Sequence, residues 1–167
     1  MSKLKRFYNE GSVYFVTSVT YNRERLLIGY QKQLMDSFQR YKDELNFSII
    51  AWVILPDHFH FIIDPRQNNL STVMKKIKLS FSKKLLYMLG ISGGHVWQKR
   101  FWDHVIRNQK DMNNHIDYIH YNPVKHHYTK SPFDWEYSSI REFFNRGYYT
   151  KDWGVAEIIE LNGDYGE

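Results

Sequence analysis

His58 and His60 are separated by one residue inside the apolar run 50–64, and two imidazoles at this spacing could hold a metal ion. Successive side chains of a strand point to opposite faces, so the two imidazoles leave one face while Phe59 and Phe61 leave the other. Imidazole is the commonest metal-ligating side chain, and serine, threonine or lysine would serve a solvated face equally well. We therefore interpret the pair as metal ligands, with a polar strand face as the alternative.

The composition limits which other groups can take part. The 167-residue chain contains no cysteine, which excludes disulfides, thiolate zinc sites and cysteine nucleophiles. A net charge of +5 and 17% aromatic residues favour a nucleic-acid partner, because cations neutralise phosphates and rings stack on unpaired bases. The basic start of the chain has no apolar stretch behind it, and no run approaches about 18 apolar residues. We therefore expect a cytoplasmic protein with no membrane partner.

The elements that must position the histidines follow from local patterns. β-Branched and aromatic residues predict strands at 12–20, 47–55, 58–64 and 96–107. Helical spacing of apolar residues predicts helices at 30–44 and from Asn69 or Ser71 to Leu89, where Gly90 closes the second one. The order β-α-β-β-α-β is typical of an α+β fold, the ferredoxin-like split βαβ sandwich with an antiparallel four-stranded sheet.

A third helix is expected to supply the rest of the site. Asn108 can cap a helix that begins directly after it, and Pro123 is expected to end that helix. Tyr118 and Asn122 are four residues apart and share one helix face. If that face meets the histidine strand, Asn122 offers an amide oxygen as a third ligand and Tyr118 places a phenol beside the ion. On chemistry alone, an interface aromatic and a helix-ending asparagine explain the two residues as well, and Tyr121 is a rival phenol.

Three stretches, in this order, resemble a known family. They are 52–60, 97–108 and 117–125, which read WVILPDHFH, WQKRFWDHVIRN and DYIHYNPVK. Together they resemble the REP-associated tyrosine transposases, bacterial single-tyrosine HUH proteins, and the similarity runs from about Arg6 to Trp153. The resemblance implies an HUH nuclease built on a ferredoxin-like core.

The resemblance also implies roles for four residues. His58 and His60 match the metal-binding motif, Tyr118 matches the nucleophile, and Asn122 takes the place of a third ligand that is glutamine in the insertion-sequence enzymes. The implied chemistry is a transesterification on single-stranded DNA, assisted by Mg²⁺ or Mn²⁺, that leaves a 5′-phosphotyrosine and a free 3′-OH. The implied substrate is a hairpin with a flanking single strand, as in repetitive extragenic palindromes.

Basic residues of the second helix and the fourth predicted strand are candidates for DNA contacts. The candidates for phosphate contacts are Lys75, Lys76, Lys78, Lys99, Arg100 and Arg107. A solvated face explains the helical lysines equally well. Trp97 or Trp102 could stack on bases, although packing in the core is the favoured explanation for both tryptophans.

We predict one domain, residues 1–167, with a catalytic core over about 6–122 and a C-terminal extension over 123–167. The extension is basic and aromatic, so it could cover the site or grip DNA. It could also allow a single chain to act without a partner subunit, and we therefore favour a monomer over a homodimer. The predicted place of action is the nucleoid of a bacterial cell.

Two alternatives remain open from the sequence. The first is a non-catalytic ferredoxin-like module that binds nucleic acid through its sheet face. The second is a metal-dependent hydrolase that uses His58 and His60 together with a carboxylate such as Asp64.

Overall fold

The computed structural model describes residues 11–167, in which four strands form one antiparallel sheet. The strands are β1 (Tyr14–Val19), β2 (Ser48–Ile54), β3 (His58–Asp64) and β4 (Trp102–Val105), and their order across the sheet is β2-β3-β1-β4. Helix α1 (Gln31–Leu45) connects β1 to β2, and α2 (Leu70–Leu89) connects β3 to β4. This is the predicted α+β ferredoxin-like arrangement, which is confirmed. Residues 6–10 of the predicted core lie outside the described residues.

The chain continues beyond the sheet with two further helices, α3 (Gln109–Lys125) and α4 (Ile140–Asn145). Short 3₁₀ turns occupy Tyr21–Arg23 and Pro132–Asp134. In the described range 11–167, no helix is both long and apolar enough to cross a membrane.

Apolar layers cover both faces of the sheet. On one face, Phe59, Phe61 and Ile63 pack with the inward stripes of α1 and α2 in a large buried cluster. On the other face, Phe15 and Ile62 pack with α3 and the C-terminal extension in a second cluster. Alternation along β3 sends odd-numbered side chains to the first layer and even-numbered ones, the two histidines among them, to the second.

The helix ends follow the predicted capping residues. The Asn69 side chain accepts hydrogen bonds from the first turn of α2, and Gly90 ends that helix with a φ of +66°, which glycine adopts without strain. Asn108 caps α3 by accepting from the backbone N–H of Asp111. Both helices therefore begin where the sequence indicates.

The fourth predicted strand is shorter than expected. Of residues 96–107, only Trp102–Val105 form a ladder with β1, while Trp97 makes a single isolated bridge. The Trp97 ring instead lies between Phe59 and Phe81. Its indole N–H donates to the Lys78 carbonyl of α2, while backbone hydrogen bonds from Tyr21 to Val96 and from Gln98 to Val19 keep this stretch beside the end of β1.

The expectation that Pro123 ends α3 is wrong, because the helix continues to Lys125. Proline removes only the N–H that would bond four residues back, and the N–H of His126 still bonds to the carbonyl of Asn122. Pro123 is buried, so tertiary packing holds the last turn in place. The extra turn brings Lys125 onto the helix face that carries Tyr118, seven residues earlier.

Candidate active site

β3 and α3 bring the four predicted catalytic and metal-binding side chains together. His58 and His60 leave the face of β3 that meets α3, and their ring centroids are 5.0 Å apart. The ring of Tyr118 lies 5.2 Å from the ring of His60. These three residues and Asn122 are each at most 1% exposed.

Neighbouring oxygens orient both imidazoles. His58 Nδ1 lies 2.6 Å from Asp57 Oδ1, and His60 Nδ1 lies 2.8 Å from Thr17 Oγ1. Because the Thr17 hydroxyl donates to the Tyr165 carbonyl at 2.6 Å, it must accept from His60. Each ring therefore turns the lone pair of its Nε2 toward α3, which is the arrangement that metal-ligating histidines adopt.

A carboxylate occupies the space between the histidines and α3. Glu167 Oε1 lies 2.9 Å from His60 Nε2 and 3.6 Å from His58 Nε2. The same oxygen accepts from Asn122 Nδ2 at 2.8 Å and from the hydroxyl of Tyr118. All four predicted residues thus converge on one anionic oxygen.

The donor atoms of this site fit a divalent metal ion. His58 Nε2 and Asn122 Oδ1 are buried and, among the residues described, have no hydrogen-bond partner. The lone pair of His60 Nε2 faces a carboxylate oxygen at 2.9 Å, and this contact between two acceptors is favourable only when a cation binds to both atoms. One ligand atom from each of His58, His60 and Glu167 lies within 4.8 Å of the others. Nitrogen and oxygen donors of this kind suit first-row divalent ions.

Burial and charge set the protonation of the site. Burial lowers the pKa of His60 to about 3, so this ring is neutral near pH 7 and able to act as a ligand. Burial also opposes charging of His58, but its carboxylate partners outweigh that effect and raise its pKa. Burial would raise the pKa of Glu167, yet three surrounding histidines hold it well below its usual range. Burial and then Glu167 raise the pKa of Tyr118, so in this state the phenol keeps its proton.

The segment that carries Glu167, here called the tail (residues 165–167), packs closely against the residues of the site. The ring of Tyr165 stacks on that of Tyr118 with centroids 3.5 Å apart and an interplanar angle of 7°. Gly166 has a φ of +72°, and a Cβ there would lie only 2.4 Å from Trp102 Cγ, so only glycine allows this approach. A substrate that reaches the Tyr118 hydroxyl must therefore displace Glu167.

Two rival residues from the sequence lie away from this centre. The ring of Tyr121 contacts that of Trp153 in the C-terminal extension, at 6.3 Å between centroids. Asp64 is four residues along the strand from His60, about 13 Å away at the usual rise of a strand, and it accepts from the Arg66 backbone N–H. The carboxylate at the histidines is Glu167, which the sequence analysis missed because no local pattern marks it.

Four of the six predicted DNA-contacting residues line one groove between α2 and the following loop. These four are Lys75, Lys78, Lys99 and Arg100, and Lys83 joins them although it was not predicted. Lys76 instead pairs with Glu44 of α1 at 2.7 Å. Arg107 lies 3.5 Å from Asp111 at the start of α3.

The groove continues toward the histidines. A second cleft shares Gln98, Arg100 and Phe101 with it and reaches Thr17 and Gly166 beside the site. Trp97 lines the groove but is only 8% exposed, which agrees with core packing rather than base stacking. Trp102 is half-buried, with its ring edge-on to Phe15.

Comparisons with known proteins show which family this chain belongs to. The family described as "Transposase IS200 like" matches residues 8–122. A REP-associated tyrosine transposase of Escherichia coli strain K12 is 36% identical over 156 residues, which cover 92% of this chain and 91% of the relative. A Haemophilus influenzae protein that carries the same name provisionally is 33% identical over 177 residues, 98% of this chain and 99% of the relative.

A solved structure of the same family is similar to this chain. It is described as a REP-associated tyrosine transposase bound to a REP hairpin, and it superimposes with a TM-score of 0.81 at 35% identity. The match covers 100% of this chain and 94% of that one. The similarity therefore includes the C-terminal extension as well as the sheet.

Proposed function

The chain belongs to the IS200-like transposases, as a REP-associated tyrosine transposase, and on that premise we propose that it cuts single-stranded DNA beside a hairpin through a covalent tyrosine intermediate. The observation that carries the proposal is the convergence of Tyr118, His58, His60 and Asn122 on one anionic oxygen. A phosphate oxygen of the scissile bond would take the position of Glu167 Oε1. The REP hairpin held by the similar solved structure supports hairpin DNA as the substrate.

Tyr118 is the proposed nucleophile. Its O–H bond breaks, its oxygen forms a bond to phosphorus, and the bond from phosphorus to the 3′ oxygen breaks. The phenol proton passes to solvent and a proton from solvent completes the 3′-OH, so no net proton is consumed. The 5′-phosphotyrosine keeps the ester energy, and rejoining the strand needs no external energy source. A free phenol with a pKa near 10 reacts poorly at neutral pH, so the site must stabilise the charge that develops.

His58, His60 and Asn122 are the proposed metal ligands. They would hold a divalent ion, Mg²⁺ or Mn²⁺, which when bound polarises a phosphate oxygen and stabilises negative charge. Asp57 and Thr17 keep the imidazoles in the tautomer that such binding requires. Because imidazole suits first-row ions better than it suits Mg²⁺, we expect Mn²⁺ to support the reaction well.

The groove on α2 is the proposed path for the DNA backbone. Lys75, Lys78, Lys99 and Arg100 line it, and its continuation past Gln98 ends at the active site. Because Tyr118 meets the histidines of its own chain, a monomer is sufficient for cleavage. The proposal places the protein on DNA, in the nucleoid of a bacterial cell.

A covalent adduct between protein and DNA tests the proposed function directly. The chain is incubated with a labelled hairpin oligonucleotide that has a single-stranded flank and with Mn²⁺ or Mg²⁺, and the products are separated on a denaturing gel. We expect a metal-dependent adduct that is lost in Tyr118→Phe and kept in Tyr121→Phe, because the Tyr121 ring packs against Trp153 instead. Loss of the adduct in Tyr121→Phe alone would show that the nucleophile is misassigned.

A second candidate function is metal-dependent hydrolysis, favoured by the His58, His60 and Glu167 ligand set. A hydrolase of this kind releases free ends without a protein adduct, and Tyr118→Phe would leave its cleavage rate nearly intact. A non-catalytic binding module would bind the hairpin equally well after chelation and would cut nothing. The same gel therefore separates the three functions.

A further inference from the structure

Lys125 lies against the oxygen that is proposed to react. Its Nζ donates to the Tyr118 hydroxyl oxygen at 3.1 Å and lies 4.8 Å from the centroid of the Tyr118 ring. The helical turn that continues past Pro123 puts the two residues on one face of α3. This cation takes no part in the steps of the proposed function.

The two oxygens of Glu167 have different partners. Oε1 faces His60, Asn122 and the phenol, whereas Oε2 lies 2.6 Å from Lys125 Nζ. His126 Nε2 is 3.2 Å from Oε2, without the alignment of a hydrogen bond. An anion in this site thus accepts from an amide and a phenol on one side and from an ammonium group on the other. A phosphodiester offers two non-bridging oxygens that could be shared in the same way.

We propose that Lys125 is a catalytic residue of the phosphotyrosine reaction, an inference that rests on the proposed function. Once the tail has been displaced, its ammonium group contacts the Tyr118 oxygen and one non-bridging oxygen of the scissile phosphate. During attack, the O–H bond of the phenol breaks as the bond to phosphorus forms and the bond to the 3′ oxygen breaks. Lys125 keeps its proton throughout and acts through its charge, which offsets the negative charge on the entering oxygen and on the phosphate.

A purely structural role for Lys125 predicts the opposite result. If the residue only holds Glu167 in place, its removal frees the tail and adduct formation becomes faster. If it acts on the reacting oxygens, its removal slows adduct formation even though the tail is freed. The sign of the change therefore distinguishes the two roles.

The experiment measures single-turnover adduct formation on the labelled hairpin oligonucleotide with Mn²⁺, in the full chain. Lys125→Met is compared with Lys110→Met, a matched change at an exposed lysine in the first turn of the same helix. Each is made in the native chain and together with Glu167→Ala, which removes the carboxylate that Lys125 holds. Hairpin affinity is measured separately with Tyr118→Phe present, so that binding and reaction are not confused.

We expect Lys125→Met to slow the reaction by roughly 100-fold, the usual effect of losing one group that stabilises transition-state charge. The loss should persist with Glu167→Ala, hairpin affinity should change little, and Lys125→Arg should recover part of the rate. Lys110→Met should react like the native chain.

Each other outcome has a separate meaning. An unchanged or faster reaction in Lys125→Met, in both backgrounds, overturns the inference and leaves the proposed function standing. An equal loss in Lys110→Met would also overturn it, because a general effect of helix charge would then suffice. If the native chain and Glu167→Ala form no adduct at all, the proposed function itself fails. Should Lys125→Met unfold, Lys125→Gln, which keeps a polar side chain, provides the same comparison.

Discussion

The two faces of the sheet differ in the side chains that β3 presents to them, although apolar clusters cover both faces. Facing α1 and α2, β3 presents Phe59, Phe61 and Ile63, all within one apolar cluster. Facing α3, the same strand presents His58 and His60, whose ring nitrogens contact oxygens of Asp57, Thr17 and Glu167.

The two layers that cover the sheet also come from different parts of the chain. The apolar layer is formed by elements that follow each other between β1 and β4 and needs only well-packed hydrocarbon. The layer against α3 and the C-terminal extension is also largely apolar, but it contains buried polar groups, and each of them requires a hydrogen-bond partner or a ligand. Both faces therefore stabilise the fold, and the face that meets α3 also holds the candidate catalytic groups.

The largest effect on stability is expected on the apolar face. Phe61 is 1% exposed, and its ring stacks on that of Phe38 at 4.2 Å between centroids. Phe61→Ala should lower the free energy of unfolding by about 3–5 kcal/mol, because it leaves a cavity in a packed core. Urea unfolding measures this change.

The matched control is Tyr87→Ala, since Tyr87 is an aromatic residue that is 88% exposed on α2. Its effect should stay within about 0.5 kcal/mol. A loss below about 1 kcal/mol in Phe61→Ala would show that this layer is not the main source of stability.

The polar side should make stability depend on pH. His120 is fully buried, with its ring nitrogens 2.8 Å from the Tyr149 hydroxyl and 2.8 Å from Ser139 Oγ. Burial lowers its pKa to about 3, whereas an unfolded histidine has a pKa of 6.5. Between these values the unfolded chain binds a proton that the folded chain refuses, so stability falls as the pH falls. At pH 5 the expected loss from this residue is about 2 kcal/mol.

Urea unfolding at pH 7 and pH 5 tests this expectation. The native chain should lose stability on acidification, and part of the loss belongs to His60, whose pKa is also lowered to about 3. His120→Gln should reduce the loss by about 2 kcal/mol, whatever its stability at pH 7. His95→Gln, at an exposed histidine, should leave the loss unchanged. An equal loss in the native chain and His120→Gln would contradict the burial argument.

Features governed by local rules could be predicted from the sequence. The strand period of two placed His58 and His60 on one face, and the capping chemistry of Asn69 and Gly90 set the ends of α2. The helical period places Tyr118 and Asn122 on one face of α3. These features depend on neighbours within one turn or one strand pair.

Features governed by distant contacts could not be predicted in this way. Glu167 reaches His60 across 107 positions of sequence, and nothing in its own neighbourhood marks it as part of a site. The residues around Trp97 predict a long strand, yet its ring packs against Phe81 of α2 and its backbone makes only an isolated bridge to Thr20. Pro123 has a strong local tendency to end a helix, which tertiary packing overrides.

The smallest expected effect concerns the outer surface of α2. This helix has one side that packs in the core and another that lines the proposed DNA groove. Its inward residues Ile77 and Phe81 are fully buried, while Lys75 lines the groove that leads to the site. If the groove carries DNA, Lys75→Ala should weaken hairpin binding a few-fold and reduce the slope of log K against log salt concentration by up to about 1. Lys84→Ala removes the same charge from the same helix outside the groove, and its slope should match that of the native chain. Equal slopes in all three proteins would place the DNA on another surface, and the polar face of the sheet would then have to be reached from the side of the C-terminal extension.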